Sequence, residues 1–522
     1  MRKTKCGMRS RRASGSLPLL AVLILLISGC AVLPQHVEKS LTTALPNPAS
    51  TALGRMVAAD EVGKNLSGIR LLTSGEEALG DLIALADHAE RTLDIQYYII
   101  HQDDSARILL QHVRMAADRG VRVRVLVDDL NTAGEDRRFM HLGAHTNVEV
   151  RVFNPFPGGR SATWTRLLAS VNDIRRINHR MHNKLFVADN ALAITGGRNI
   201  GNEYFTRDRH NNFIDLDVVA AGAIVKELSA SFDAFWNSKY AYPIASLASP
   251  VSAEAASPAS AEAASPPLLE AGASNLGWLE SELNSGRIHL AWVPATVLAD
   301  RPAKMASESS PDEEVTIANN LVALMRSAKQ ELIVISPYFV PGKDGVALFA
   351  KLVDQGVHIR ILTNSLASTD SPLVHNGYSR YRVALLKLGI ELSEVRPKLG
   401  QKRARFHPFR GSSASLHAKA LVIDQRTVFI GSMNMDARSA RTNSELGLVM
   451  RSADIARQVT SLLDDISADG SYKLQLVDHS DRIEWSSGEA GSEKTWYTDP
   501  ETTRLQRFVL KLVAPFAPEE LL

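Results

Sequence analysis

Cysteine is nearly absent: the 522 residues hold only Cys6 and Cys30. Everything after Cys30 therefore lacks a thiol, which excludes thiol catalysis and disulfides there and leaves stability to core packing. Net positive charge is scarce too. The formal +2 comes from the first 29 residues, whose six cations (Arg2, Lys3, Lys5, Arg9, Arg11, Arg12) meet no acid; without them the balance is −4. A mildly acidic remainder lacks the basic footprint of a nucleic-acid binder, so no nucleic-acid partner is expected. The apolar run at residues 17–27 has eleven residues. At about 1.5 Å per residue it falls short of the roughly 30 Å of a bilayer's hydrocarbon core.

A basic start, a short apolar stretch and small residues before a cut describe a secretory signal over residues 1–29. The sequence Ile27-Ser28-Gly29-Cys30 resembles a bacterial lipobox, which implies that Cys30 is lipidated and becomes the new N-terminus; an uncleaved signal anchor is the alternative. Ala31, where an aspartate would retain the protein, resembles signals for onward sorting. The expected location is the bacterial cell envelope, lipid-anchored and periplasm-facing, at the outer rather than the inner membrane. At about 0.8 kcal/mol per buried methylene, two or three acyl chains suffice to hold it there.

With 45% hydrophobic residues, the chain can bury more than one core. Residues 30–66 read as an N-terminal tether leading into the first half. Residues 93–100 are strand-like, residues 106–119 carry apolar side chains at helical spacing, Gly120 stops that helix, and residues 121–127 alternate like a strand. The plan recurs with a strand at 331–336, a helix at 346–354, the stop Gly356 and a strand at 357–362. Gly120 and Gly356 lie 236 residues apart, so whole βαβ units are duplicated. A parallel-rich sheet with helices on both faces follows. The halves are expected at 67–245 and 278–475, joined by an Ala/Ser/Pro-rich linker at 246–277 and followed by a C-terminal segment, 476–522.

The chemistry sits in a second repeat. His182-Asn183-Lys184 with Asp189 recurs 235 residues later as His417-Ala418-Lys419 with Asp424. Each copy is followed by a small-residue turn and an asparagine, Gly196-Gly197-Arg198-Asn199 and Gly431-Ser432-Met433-Asn434. In a strand's first residues, His-x-Lys puts both polar side chains on one face. Two imidazoles and two ammonium groups in one cleft suit phosphodiester chemistry: one imidazole attacks phosphorus, the other protonates the leaving oxygen, and the lysines balance the developing charge. No metal or other cofactor is required. Asp189 and Asp424 read as strand-end residues that fix a turn or anchor backbone rather than carry protons. The run 175–180, rich in arginine, is either a solvated face or a grip for a second phosphate. His375, Tyr378 and Arg380 fall on one helical face.

This constellation resembles the phospholipase D superfamily, over roughly residues 68–470. The resemblance implies an α/β fold of two fused, pseudo-twofold-related domains, each a mixed, largely parallel sheet flanked by helices. It also implies a shared active site and a phosphohistidine intermediate. A downstream carboxylate in each half is expected to orient the opposite half's histidine: Glu445 in Asn443-Ser444-Glu445 for His182, and Asp215 for His417, with Asp217 as the other candidate. His182 is the expected nucleophile and His417 the acid, or the reverse.

Within that superfamily the chain is similar to bacterial cardiolipin synthases. The segments that carry this are Tyr97-Tyr98, Arg180-Met181-His182-Asn183-Lys184, Thr363-Asn364-Ser365-Leu366, residues 375–381 and the terminus 518–522. The implied activity is transfer of a phosphatidyl group to a glycerol-type hydroxyl of another phospholipid; hydrolytic phospholipase D or a broader phosphodiesterase, nuclease included, is the alternative. Expected partners are phospholipids and a membrane surface, with a monomeric active unit. Residues 503–516 form an amphipathic helix whose stripe Leu505, Phe508, Val509, Leu512 and Phe516 meets either a bilayer interface or the second domain. Labelled fatty acid should appear on the wild-type protein and vanish from Cys30→Ser; label on both contradicts the anchor.

Overall fold

The computed structural model describes residues 33–63, 65–160, 162–247, 277–305, 316–399, 409, 411–478, 480–488 and 494–513. The signal segment, Cys30, nearly all of the Ala/Ser/Pro-rich linker and the terminus 518–522 lie outside them.

Alternating apolar residues build two large mixed sheets. The first runs Ala291–Val293, Ser67–Leu72, Asp217–Gly222, Leu192–Gly196, Leu185–Ala188, Thr92–Tyr97, Arg122–Asp128, Val148–Phe153 and Ala241–Pro243. The second repeats the central order with Leu446–Arg451, Thr427–Gly431, Ala420–Ile423, Glu331–Ile335, His358–Asn364 and Glu391–Val395. Ala295–Ala299 flanks it on one side, and Ser471–Leu476, Ile483–Ser487 and Lys494–Trp496 on the other. The expected βαβ units are present: Thr92–Tyr97, the helix Asp104–Asp118 and Arg122–Asp128 in the first half, and Glu331–Ile335, the helix Gly342–Asp354 and His358–Asn364 in the second. Gly120 and Gly356 end those helices with φ of 95° and 85°, a conformation that costs glycine little.

Parallel pairing is confined to three adjacent strands in each sheet; every other pair within the two sheets is antiparallel. The sheets are mixed but not largely parallel. The difference comes from tight hairpins whose turns are Asp189-Asn190 and Asp424-Gln425, all four at φ between 51° and 53°. Two consecutive left-handed residues match the right-handed twist of the flanking strands.

The boundaries also differ from those expected. The helix Trp278–Ser285 packs on the helix Gly75–His88, and Ala291–Val293 pairs with Ser67–Leu72, so residues 278–293 complete the first half. Residues 471–496 extend the second sheet past 475. The described part of the tether is docked: Trp236 Nε1 donates to Thr42 Oγ1 (2.9 Å), and the helix Ala52–Asp60 buries Leu53 and Val57.

Between the sheets lies one continuous apolar core with residues of both halves, among them Leu185, Val187, Phe232, Ile333, Val422, Ile430 and Leu462. Helices cover each outer face. No helix among the described residues is long and apolar enough to cross a membrane.

One buried acid couples this packing to pH. Asp81 in the helix Gly75–His88 accepts the Leu279 N–H, yet burial pushes its carboxyl from 3.8 up to about 8. The folded state thus holds a proton that the unfolded chain releases, so this contribution is full below about 3.8 and is lost as pH rises through about 8. Asp81→Asn should unfold at a temperature higher than wild type by about a few degrees at pH 8, with little difference at pH 4. Parallel melting-temperature profiles would contradict this.

Candidate active site between the two halves

The two short strands Leu185–Ala188 and Ala420–Ile423 lie side by side with the first strand of each βαβ unit, deep in their sheets. Each His-x-Lys leads into its strand at the seam between halves, and backbone bonds across the seam fix both histidines in place. His182 N–H donates to Ser444 O (2.9 Å), Ser444 N–H donates to Arg180 O (2.9 Å), and Ser444 Oγ donates to Asn183 Oδ1 (2.8 Å). On the other side, the N–H groups of His417 and Ala418 donate to Ile214 O (2.8 and 3.0 Å), continuing a parallel pair of Ser413–Leu416 with Asn211–Ile214.

Those seams deliver each carboxylate to the opposite histidine. His182 Nδ1 donates to Glu445 Oε2 at 2.9 Å, and His417 Nδ1 donates to Asp215 Oδ2 at 2.6 Å. Because a carboxylate accepts, the proton of each ring sits on Nδ1 and each Nε2 keeps its lone pair. Asp217, the other candidate, is taken by Arg198, whose Nη1 lies 3.1 Å from it.

The two pairs differ electrostatically. Burial, then the charges of Lys184, Lys419, His417 and Arg438, hold His182 well below the ordinary imidazole value. Burial and Lys419 also lower His417, but Asp215 pulls it back up. Burial would raise Asp215, yet His417 and Lys419 bring it down to about 2. Burial lifts Glu445 to about 7, opposed by Lys184 and by the Ser432 hydroxyl that donates to it.

Lys184 Nζ donates to His182 O at 2.7 Å. Lys419 Nζ donates to His417 O and lies 2.9 Å from His417 Nδ1. That nitrogen's proton already serves Asp215, so the second contact is electrostatic. Burial lowers both ammonium groups, Lys184 well below its usual value and Lys419 to about 8.

The remaining motif residues have other duties. Asp189 accepts the N–H groups of Glu90 (3.0 Å), Arg91 (2.8 Å) and Thr92 (2.9 Å). Asp424 does the same for Lys329 (3.0 Å), Gln330 (2.7 Å) and Glu331 (3.0 Å). Both stand at the far end of a four-residue strand from the histidine, which at about 3.3 Å per residue takes them out of the catalytic set. Asn199 is spent on structure, its Oδ1 accepting from Ile99 N (3.2 Å) and its Nδ2 donating to Tyr204 OH (3.0 Å). Buried Asn434 Oδ1 has no hydrogen-bond partner among the described residues.

Several neighbours carry no signal in the motifs. Tyr98 meets His182 edge-on at 4.9 Å, while Tyr204 and Phe213 enclose His417 at 5.2 and 4.9 Å. Arg438 spans the seam to Asn178 (3.1 Å). Asp370 accepts from Tyr338 OH (2.6 Å), and its charge acts on His417 and Lys419. Tyr98 alone had a trace, as half of the Tyr97-Tyr98 pair.

The arginine run is divided between duties. Arg175 is exposed, Arg176 bonds Asn154 and Pro155 O (3.0 Å), and Arg180 is buried against Asp128 (3.4 Å). His375 and Tyr378 are buried beside Arg382, whose Nη2 lies 2.7 Å from His375 Nε2, 2.8 Å from Glu394 and 3.0 Å from Asp499. Among the described residues His375, Glu394 and Asp499 are the one grouping with the spacing of a metal site, and a guanidinium fills it.

Comparison with known proteins gives the family. The family model "Cardiolipin synthase, PLD-like domain" matches residues 82–236 and 321–466. The chain is 38% identical to cardiolipin synthase C of Escherichia coli (strain K12), over 87% of this chain and 96% of that protein. It is 22% identical to cardiolipin synthase 1 of Bacillus anthracis, over 85% of this chain and 72% of that one. Phosphatidylserine synthase of Haemophilus influenzae Rd KW20 superposes with a TM-score of 0.55 at 16% identity, covering 90% of this chain and all of that one. The architecture and the paired half-sites define a phospholipase D-like protein. The chain belongs to the cardiolipin synthase, PLD-like domain family.

Gly197 tests the geometry. A Cβ there would overlap Asp215 Oδ1, so Gly197→Ala should displace the carboxylate and lower kcat by about 10²-fold or more. Wild-type kcat in a folded variant would contradict the assigned partner of His417.

Proposed function

We propose that the chain forms cardiolipin by phosphatidyl transfer through a phosphohistidine on His182. The observation that carries the reading is the pair of reciprocally oriented imidazoles, supported by the likeness to cardiolipin synthase C. His182 is the more strongly neutralised ring, so its Nε2 lone pair attacks phosphorus of the donor phospholipid. The bond from phosphorus to the headgroup oxygen breaks, and His417, carrying a second proton on Nε2 that ionised Asp215 favours, donates that proton to the oxygen. In the second half-reaction a glycerol hydroxyl of another phospholipid gives its proton to His417 and attacks phosphorus, releasing His182. Glu445 and Asp215 hold the ring tautomers.

Lys184 and Lys419 face the equatorial oxygens. Burial lowers both ammonium groups, and the charge of a bound phosphate raises them and keeps both cationic. Because one chain supplies both half-sites, the active unit is a monomer. The anchor on Cys30 would confine it to the phospholipid pool of the cell envelope, facing the periplasm.

Expression in bacteria lacking cardiolipin should restore the lipid in extracts. Phosphatidic acid without cardiolipin would contradict transfer and favour hydrolysis, in which water takes the acceptor's place. His182→Ala and His417→Ala should each lower turnover by roughly 10³-fold or more, since the groups act as a unit. Near-normal turnover in either variant would contradict the shared site.

A further inference from the structure

The helix Arg504–Val513 turns an apolar face away from the protein. Leu505, Phe508 and Leu512 are 69%, 64% and 63% exposed, and Val509 and Val513 join them on one arc. Leu510, on the opposite side, is half-buried. So the described part of the stripe, Leu505 to Leu512, does not pack on the second domain, one of the two expectations from sequence; Phe516 lies outside the described residues. Monomeric proteins rarely expose contiguous apolar faces without a partner.

Charge identifies the partner. Arg504 and Lys511 are exposed on the flank of the arc, Arg507 follows them, and the ten residues include no acid. Apolar side chains edged by cations match an anionic bilayer surface, where the aliphatic stems stay in the apolar layer and the charges reach headgroups.

Position gives the face a purpose. The helix packs beside Pro372–Ser379, on which Leu373 is also exposed. That neighbour begins two residues after Asp370, whose carboxylate holds Tyr338 and acts on His417 and Lys419. The helix is thus one element away from the residue whose charge reaches the site.

We infer that Arg504–Val513 is a docking helix that lays Leu505, Phe508, Val509 and Leu512 into an anionic phospholipid surface beside the active-site mouth, independently of any lipid on Cys30. This builds on the phospholipid reading above, but its binding readout needs no turnover.

The test uses the processed form, residues 30–522, carrying Cys30→Ser, so that neither an acyl group nor the apolar run 17–27 contributes. It should sediment with mixed phosphatidylethanolamine–phosphatidylglycerol vesicles, and less with neutral phosphatidylcholine vesicles or in high salt. The triple variant Leu505→Glu, Phe508→Glu, Leu512→Glu should lower the bound fraction about ten-fold at an unchanged melting temperature. It should lose turnover on vesicles and keep it on a dispersed short-chain donor. Arg504→Gln with Lys511→Gln should abolish the preference for anionic vesicles. Undiminished vesicle binding by the triple variant overturns the inference. So does a lowered melting temperature, which would mean that the chain itself covers the face, or a wild-type dimer broken by the triple variant, which would make it a subunit interface. If vesicles bind as expected and no cardiolipin forms, the docking helix stands and the transferase reading falls.

Discussion

The structure turns on a reciprocal exchange: each half keeps a histidine and lends a carboxylate to the other. The contacts of His182 with Glu445 and of His417 with Asp215 are buried and span 263 and 202 residues of sequence. A carboxylate in such a place is costly unless it is bonded and opposed by positive charge. Lys184 and Lys419 supply that charge, while the backbone bonds of Ser444 with Arg180 and His182, and of Ile214 with His417, supply the geometry. The shared apolar core between the sheets keeps the halves from parting. Neither half holds a working imidazole alone, because the group that fixes its tautomer belongs to the other.

The duplicated half-sites are not equal. Where the first has Gly197 beside a short aspartate, the second has Ser432, whose hydroxyl donates to the longer Glu445. Asp215 is held ionised at about 2 while Glu445 rises to about 7, and the two rings feel different fields. The two steps proposed on one phosphorus need such a difference: one ring must offer a lone pair while its partner carries a proton. Duplication supplies two matched frames, and a few substitutions specialise them.

Much of this was legible in the sequence because it is periodic or repeated. The βαβ units show in the alternation of residues 121–127 and in the glycine stops, and the site in the spacing from His182 to Asp189 and from His417 to Asp424. Asp215 was reachable by aligning one half on the other. The hairpins were not, since their left-handed turns fall on Asp189-Asn190 and Asp424-Gln425 rather than on glycine. Nor was the pairing of Ala291–Val293 with Ser67–Leu72, which crosses more than two hundred residues and has no local mark. Tyr98, Tyr204 and Phe213 reach the imidazoles only through tertiary packing. The apolar stripe of Arg504–Val513 could be read from its spacing, but its exposure is a property of the fold.

Denaturant-unfolding double-mutant cycles test the exchange most directly. The substitutions are His182→Ala with Glu445→Gln and His417→Ala with Asp215→Asn, alongside the same-half combinations His182 with Asp215 and His417 with Glu445. The account predicts coupling of about 1 kcal/mol or more for each cross-half pair and less than about 0.5 kcal/mol for each same-half pair. Coupling concentrated in the same-half pairs would contradict it.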